Sequence, residues 1–285
     1  MPHATISHSA LATRAEEFLG MHRGTAPLVL PNAWDVASAR LIEQAGFPAI
    51  ATTSAGVAWS LGYRDGERIA RREMLDAVAR IARAVRVPVT ADLEAGYGPS
   101  VEDAVATARG ALEAGAVGFN FEDGTRDPAH PLMDVEAQME RIRAARAAAD
   151  SQGVHLVINA RTDVFLRGVG APDSRLGEAV RRLRAYRSAG ADCLFAPGVS
   201  DSGTIGALVQ QLDAPLNILA RSDSPSIPEL GQLGVARVSL GPGVMEAALG
   251  ATRQLLDQLR GTGSVAAFLA PAMTYAEVEG MMGRQ

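Results

Sequence analysis

The sequence predicts a closed (β/α)8 TIM barrel on three observations: a helix–glycine–apolar phrase that recurs along the chain, eight strand-like segments alternating with helices, and no glycine-rich dinucleotide turn after the first strand. The phrase reads IEQAGFPAIATTS, LEAGAVGFNFED, RSAGADCLFAPG and LGQLGVARVSLG, centred on Gly46, Gly115, Gly190 and Gly234. Each glycine suits the left-handed position that ends a helix, and each apolar run suits a strand buried on both faces. PLVLP (27–31), PVTAD (88–92), HLVINA (155–160) and PLNILA (215–220) supply the other strands. Apolar residues spaced near 3.6 over 70–85, 101–114, 135–149 and 175–189 predict helices, with arginines on their other face. A last barrel helix is expected over about 244–260. GTGS then breaks the chain, and 264–282 resumes helical spacing with Val265, Phe268, Leu269, Met273, Val278, Met281 and Met282. Residues 1–285 are thus expected to form a single barrel domain, with 262–285 a C-terminal helical extension packed on its own barrel or on another subunit.

Composition narrows the chemistry. A chain of 285 residues that is 47% hydrophobic and lacks a long polar tract can bury a sizeable core. A net charge of −5 argues against a nucleic-acid or acidic-membrane binder and favours small molecules. Cys193 stands alone, no apolar run approaches a membrane span, and the first residues lack the apolar stretch of a secretory signal, so the expectation is a cytoplasmic protein. All 27 basic residues are arginine. Without lysine there is no Schiff-base aldolase chemistry, no lysine-anchored pyridoxal phosphate and no Walker-type phosphate loop, so a carbanion must be stabilised by a metal or by dipoles.

Functional groups of such barrels sit where the strands end. Here the ends carry Asn32, Trp34 and Asp35; Thr53, Ser54, Ala55 and Gly56; Asp92 and Glu94; Asn120, Glu122 and Asp123; Arg161 and Asp163. Asp92, Glu94 and Glu122 end neighbouring strands and are expected to converge, a repulsive arrangement unless a cation or protons neutralise it. An all-oxygen set favours Mg²⁺, or Mn²⁺, over Zn²⁺. Arg161 suits a substrate carboxylate or phosphonate, or the neutralisation of Glu122 or Asp163. The small, hydroxyl-rich TTSAGVAWS (52–60) offers backbone N–H groups to a substrate oxygen, so Ser54, Ala55 and Gly56, with Trp34, are the candidate substrate-binding residues. SLGPG (239–243) reads as a plain turn more readily than as a phosphate loop. Among the five histidines, His130 alone lies in a strand-to-helix loop.

At these residues the sequence resembles the isocitrate lyase and phosphoenolpyruvate mutase superfamily, from about Leu28 to Gly243. LPNAWDVASARLIEQAGFPAIATTSAG, LGYRDG, PVTADLEAGYG, VGFNFED and INARTD carry the resemblance, in the order of that family. It implies a barrel whose last helix is exchanged between subunits, in a homotetramer built as a dimer of dimers. It implies Asp92 as the direct Mg²⁺ ligand, Glu94 and Glu122 as ligands through water, and Ser54 and Ala55 around the 2-oxo acid end. Arg161 would face the departing group, and Asp65 would be the mobile-loop acid near the reacting atom.

Two departures bear on activity. The Lys-(Lys/Arg)-Cys-Gly-His loop of the isocitrate and methylisocitrate lyases is replaced by EDGTRDPAHPLMD, and Gly124 stands where phosphonomutases carry lysine. The expectation is therefore the common chemistry: a Mg²⁺-dependent lyase cleaving a small 2-oxo or 2-hydroxy acid through an enolate, most simply oxaloacetate, with Arg161, Asp65 and His130 as catalytic residues. The alternatives are a phosphonopyruvate hydrolase or mutase, a methylisocitrate lyase-like retro-aldol enzyme with a substitute acid, and a non-catalytic binder.

Overall fold

The computed structural model describes residues 7–266 and 272–283. Helix α1 (His8–Met21) precedes the barrel. The strands are β1 (Leu28–Leu30), β2 (Asn32–Ala33), β3 (Ile50–Thr52), β4 (Val89–Asp92), β5 (Gly118–Glu122), β6 (Val157–Arg161), β7 (Cys193–Phe195), β8 (Leu216–Leu219) and β9 (Arg237–Ser239). They form one parallel sheet in the order β1-β9-β8-β7-β6-β5-β4-β3-β2. β1 and β2 are two halves of a single passage divided at Pro31, a residue with no N–H to give the ladder. The first half pairs with β9 and the second with β3, so this passage closes the barrel.

The helices between strands are α2 (Val36–Gln44), α3 (Ser54–Ser60), α4 (Arg71–Ala84), α5 (Val101–Glu113), α6 (Val135–Asp150), α7 (Arg175–Ser188), α8 (Ser202–Gln211) and α9 (Ile227–Gln232), and α10 (Gly243–Thr262) follows the last strand. The four glycines of the recurring phrase all have positive φ, between 85° and 112°, as a helix-ending position requires. Alanines, valines and leucines of the strands and inner helix faces make one continuous core.

Two features position the site. Phe18 of α1, fully buried, plugs the floor of the barrel, where a side chain on Gly118 would stand 3.1 Å from its ring. The barrel interior above it is polar: Asn120, Asn159, Asn217, Arg237 and Ser239 are all buried, with Asn120 hydrogen-bonded to Asn159 and Arg237, and Asn217 to Ser239.

At the far end, α10 leaves the barrel, with Met245 as its one buried residue. The C-terminal extension contains α11 (Tyr275–Met282), which lies along α2, where Arg40 donates to the Met281 carbonyl. Phe268 and Leu269 of the expected helix lie outside the described residues. Among the described residues no helix is long and apolar enough to cross a membrane.

Candidate active site

The acids enter at the C-terminal ends of β4 and β5. Along β5 the side chains alternate, so Phe119 and Phe121 face the helices while Asn120 and Glu122 face inward. Asp92 pairs in register with Asn120, and Glu122 with Arg161, which sets these four side chains on neighbouring strands. Asp92 is held entirely by donors. Its Oδ2 accepts from the Ser54 N–H at 3.0 Å and the Ser54 hydroxyl at 2.8 Å, and its Oδ1 accepts from Asn120 Nδ2 at 3.1 Å.

Glu94 sits on a turn with a left-handed backbone, φ 50°, followed by Tyr97 at φ 60° with Gly96 and Gly98 also positive. Two guanidinium groups hold this AGYG turn by its carbonyls: Arg141 donates to Ala95 and Gly98, and Arg71 to Gly96 and Tyr97. The Glu94 carboxylate accepts the Glu67 N–H at 2.7 Å through Oε2, while its Oε1 is buried with no hydrogen-bond partner among the described residues. Burial, then repulsion from Asp65 and Asp92, pushes its pKa up to about 8.

Glu122 Oε2 forms an ion pair with Arg161 Nη1 at 2.8 Å. Burial still holds its pKa well above the ordinary range, because Asp163, Asp92 and Glu94 oppose the relief that Arg161 gives. Arg161 also binds Asp163 at 2.6 Å and lies over the Phe195 ring at 5.7 Å. Burial works against its charge, but Glu122 and Asp163 outweigh it and push its pKa up. Asp65 stands on the rim, solvent-accessible; partial desolvation and Asp92 raise its pKa, while Gly66, Arg161 and Ser54 act the other way.

Ser54 opens α3, with Thr53 as its N-cap. The Ser54 and Gly56 N–H groups are taken by Asp92 and Thr53, which leaves the Ala55 N–H at the helix start open to a ligand oxygen. Gly56 admits no side chain, since a Cβ would meet Thr53 Cγ2 at 2.6 Å and Trp34 Cβ at 3.0 Å.

The structure thus brings Ser54, Ala55, Gly56, Asp65, Asp92, Glu94, Glu122 and Arg161 to one mouth. It does not bring His130 there: the imidazole is 83% exposed and bound to Asp127 at 2.9 Å, because the short 125–132 loop folds outward on its own hydrogen bonds. Trp34 packs across Gly56 and lines an outer groove of about 430 Å³ with Leu61 and Met282, away from the acids. Nor do the three expected ligands meet in one ready coordination geometry; among the described residues no three acid, histidine or cysteine side chains do, because each carboxylate is held by its own partners, Asp92 by Ser54 and Asn120, Glu94 by the Glu67 N–H and Glu122 by Arg161.

Three residues that sequence reasoning passed over belong to the site. Glu67, at φ 54°, ties Glu94 and Tyr97 by hydrogen bonds and pairs with Arg126 at 2.8 Å. Arg167 binds Asp163 at 3.0 Å, and its Nη2 would lie 2.6 Å from a Cβ on Gly124. Arg237 reaches Asn120 from below. None follows its strand directly, so position after a strand could not flag them. Asp123, by contrast, turns toward the helix layer, to Thr162, Tyr186, Arg182 and the Asp163 N–H, and braces β5 against β6 and α7.

The residues fit an oxygen-binding divalent cation. Asp65, Asp92, Glu94, Glu122 and Asp163 outnumber Arg161 and Arg167, and a buried carboxylate oxygen of Glu94 has no partner.

Comparison with known proteins agrees with this geometry. A family model described as phosphoenolpyruvate phosphomutase matches residues 18–260. An uncharacterized protein of Mycobacterium tuberculosis is 36% identical over 225 residues, covering 79% of this chain and 81% of its own length. Oxaloacetate decarboxylase of Pseudomonas paraeruginosa is 32% identical over 240 residues, covering 81% and 79%. A crystal structure of phosphonopyruvate hydrolase with oxalate and Mg²⁺ superposes with a TM-score of 0.84 at 26% identity, covering 95% of each chain. The chain therefore belongs to the phosphoenolpyruvate phosphomutase family, among the lyases and mutases of the isocitrate lyase and phosphoenolpyruvate mutase superfamily.

Proposed function

We propose that this enzyme is a Mg²⁺- or Mn²⁺-dependent lyase that cleaves a carbon–carbon bond of a small 2-oxo acid, with oxaloacetate as the simplest substrate. The observation that carries the reading is the buried acid cluster around the unpartnered Glu94 oxygen, faced by Arg161. Asp92, Glu94 and Glu122 would hold the cation, which when bound would polarise the 2-oxo carbonyl and offset the negative charge of an enolate.

The chain's own groups account for the rest. The Ala55 N–H and the small residues around Ser54 receive the 2-oxo carboxylate. Arg161 receives the distal carboxylate and, held on two sides by Glu122 and Asp163, orients it. The C3–C4 bond of oxaloacetate then breaks, its electron pair passes into the enolate, and CO₂ leaves. Asp65 on the rim delivers the proton that C3 takes to give pyruvate. With His130 turned outward, Asp65 replaces it in this role.

A second reading, a phosphorus–carbon enzyme acting on phosphonopyruvate, draws on one observation. Asp163 gathers two guanidinium groups, Arg161 and Arg167, a pairing suited to a group of higher charge than a carboxylate. We also propose that α10 packs against a second copy of the chain in a homotetramer, as its exposed Leu249 and Leu256 require cover.

The test is pyruvate release from oxaloacetate and from phosphonopyruvate, corrected for the metal's own decarboxylation. Chelator is expected to abolish turnover, and Asp92→Ala to lower it by more than about 100-fold, since loss of a mere supporting partner already costs about 10- to 100-fold in such sites. Turnover of phosphonopyruvate alone would establish the second reading. Turnover unaffected by chelator would remove both.

A further inference from the structure

Beneath the acid cluster, inside the barrel, one cation is buried without a countercharge. Arg237, on β9, is 1% exposed and makes no ion pair among the described residues. Its one hydrogen bond runs from Nη2 to Asn120 Oδ1 at 3.4 Å, its Nε and Nη1 have no partner, and its guanidinium lies 5.8 Å from the Phe18 ring. A buried unpaired charge is among the most costly features a core can hold, and an apolar side chain of similar length would avoid that cost. Stability therefore does not account for it.

What it touches does. An amide side chain can turn either way, but guanidinium only donates, so Arg237 can face only the oxygen of Asn120. Asn159 Nδ2 donates to that same oxygen at 2.7 Å. With its oxygen committed twice, Asn120 must turn its Nδ2 toward Asp92 Oδ1. The two Ser54 donors occupy Asp92 Oδ2, so every contact on this carboxylate is a donor and none accepts. The Asp92 charge in turn favours the buried guanidinium across the intervening amide.

We infer that Arg237 is a positioning residue: acting through Asn120, it fixes the polarity of the chain of hydrogen bonds that presents Asp92 as an oriented carboxylate to the divalent cation. This rests on the metal-dependent reading above. It separates from a merely structural role because the two properties should move in opposite directions, stability toward the apolar variant and metal affinity away from it.

The experiment uses the full chain and Mn²⁺ as probe, with affinity read from the electron paramagnetic resonance of free Mn²⁺ and melting measured in chelator. Arg237→Met is expected to melt at or above the wild-type temperature yet bind Mn²⁺ about 10- to 100-fold more weakly, and Arg237→Lys to recover part of the affinity. Asn120→Leu, which cuts the same chain in the middle, serves as a second variant. Its loss and that of Arg237→Met should not add in the double variant. Wild-type affinity in Arg237→Met, or additive losses, would overturn the inference alone. Absence of Mn²⁺ binding by the wild type would overturn the metal reading and this inference together.

Discussion

His22, at the end of α1, gives a stability switch with a definite sign. Its Nδ1 donates to the Phe18 carbonyl at 2.9 Å, its Nε2 is buried without a partner among the described residues, and burial together with Arg237 pushes its pKa down from 6.5 to about 4. The folded chain therefore holds a neutral imidazole where the unfolded chain takes up a proton. This contribution is fully present above pH 6.5 and lost as pH falls toward 4, a loss of about 3 kcal/mol. His22→Phe, which keeps the packing against Phe18, is expected to flatten the dependence of unfolding free energy on pH across that window, as urea titrations would show. The residue scale is also where the sequence was most incompletely legible. Asp92, Glu122 and Arg161 are the last residues of their strands and Glu94 comes two residues after β4, so the rule about strand ends finds them. Glu67 and Arg167 reach the site only through the folding of loops, and His130 has the right position in the chain but an outward turn of its own making.

Among the elements, the AGYG turn after β4 is the least ordinary piece of backbone and the most heavily tied. Arg141 is 1% exposed, with its pKa pushed down to about 10 by burial; it donates to Gln138 and to the turn carbonyls, and lies 4.6 Å from the Phe121 ring. Arg141→Leu would leave the Ala95 and Gly98 carbonyls without their donor, and a loss of at least about 2 kcal/mol in chemical denaturation is expected. Arg141→Lys should restore only part of it, because a single ammonium cannot reproduce the planar fork. The strands and helices themselves were legible to within a few residues, because a left-handed glycine, an apolar run and a helical repeat are all local signals. Three features were not. Helix α1 has too few apolar positions to stand out, yet Leu11, Ala15 and Phe18 bury it against the barrel floor. Helix α3 hides in a run of small residues whose helicity depends on the Thr53 cap, and the division of the first strand at Pro31 depends on which neighbour each half finds.

For the whole molecule, α10 presents an unsatisfied apolar surface. A barrel helix normally buries an apolar stripe on its own strands, whereas here Leu249 and Leu256 are each 52% exposed. Replacing both with glutamate is expected to shift the species seen by light scattering after gel filtration to a smaller mass, with the barrel's melting temperature little changed. An unchanged mass would remove the proposed role of α10 in assembly. The barrel class, the acid cluster and the arginine facing it were all readable from the chain; the polar interior beneath them was not, because inward-facing Asn120, Asn159, Asn217 and Arg237 belong to four separate strands and become neighbours only on closure.

The split passage at Pro31 sets an order on that closure during synthesis. Leu28 waits for Arg237, and Asn32 for Ala51, so the second half of the first strand can pair early while the first half stays open until nearly the whole barrel has left the ribosome. The same late pairing carries the Arg237 guanidinium out of water. Sealing the barrel and desolvating Arg237 are therefore a single event, and a chain stalled before residue 237 would keep an open, hydrated seam however well its other strands were formed.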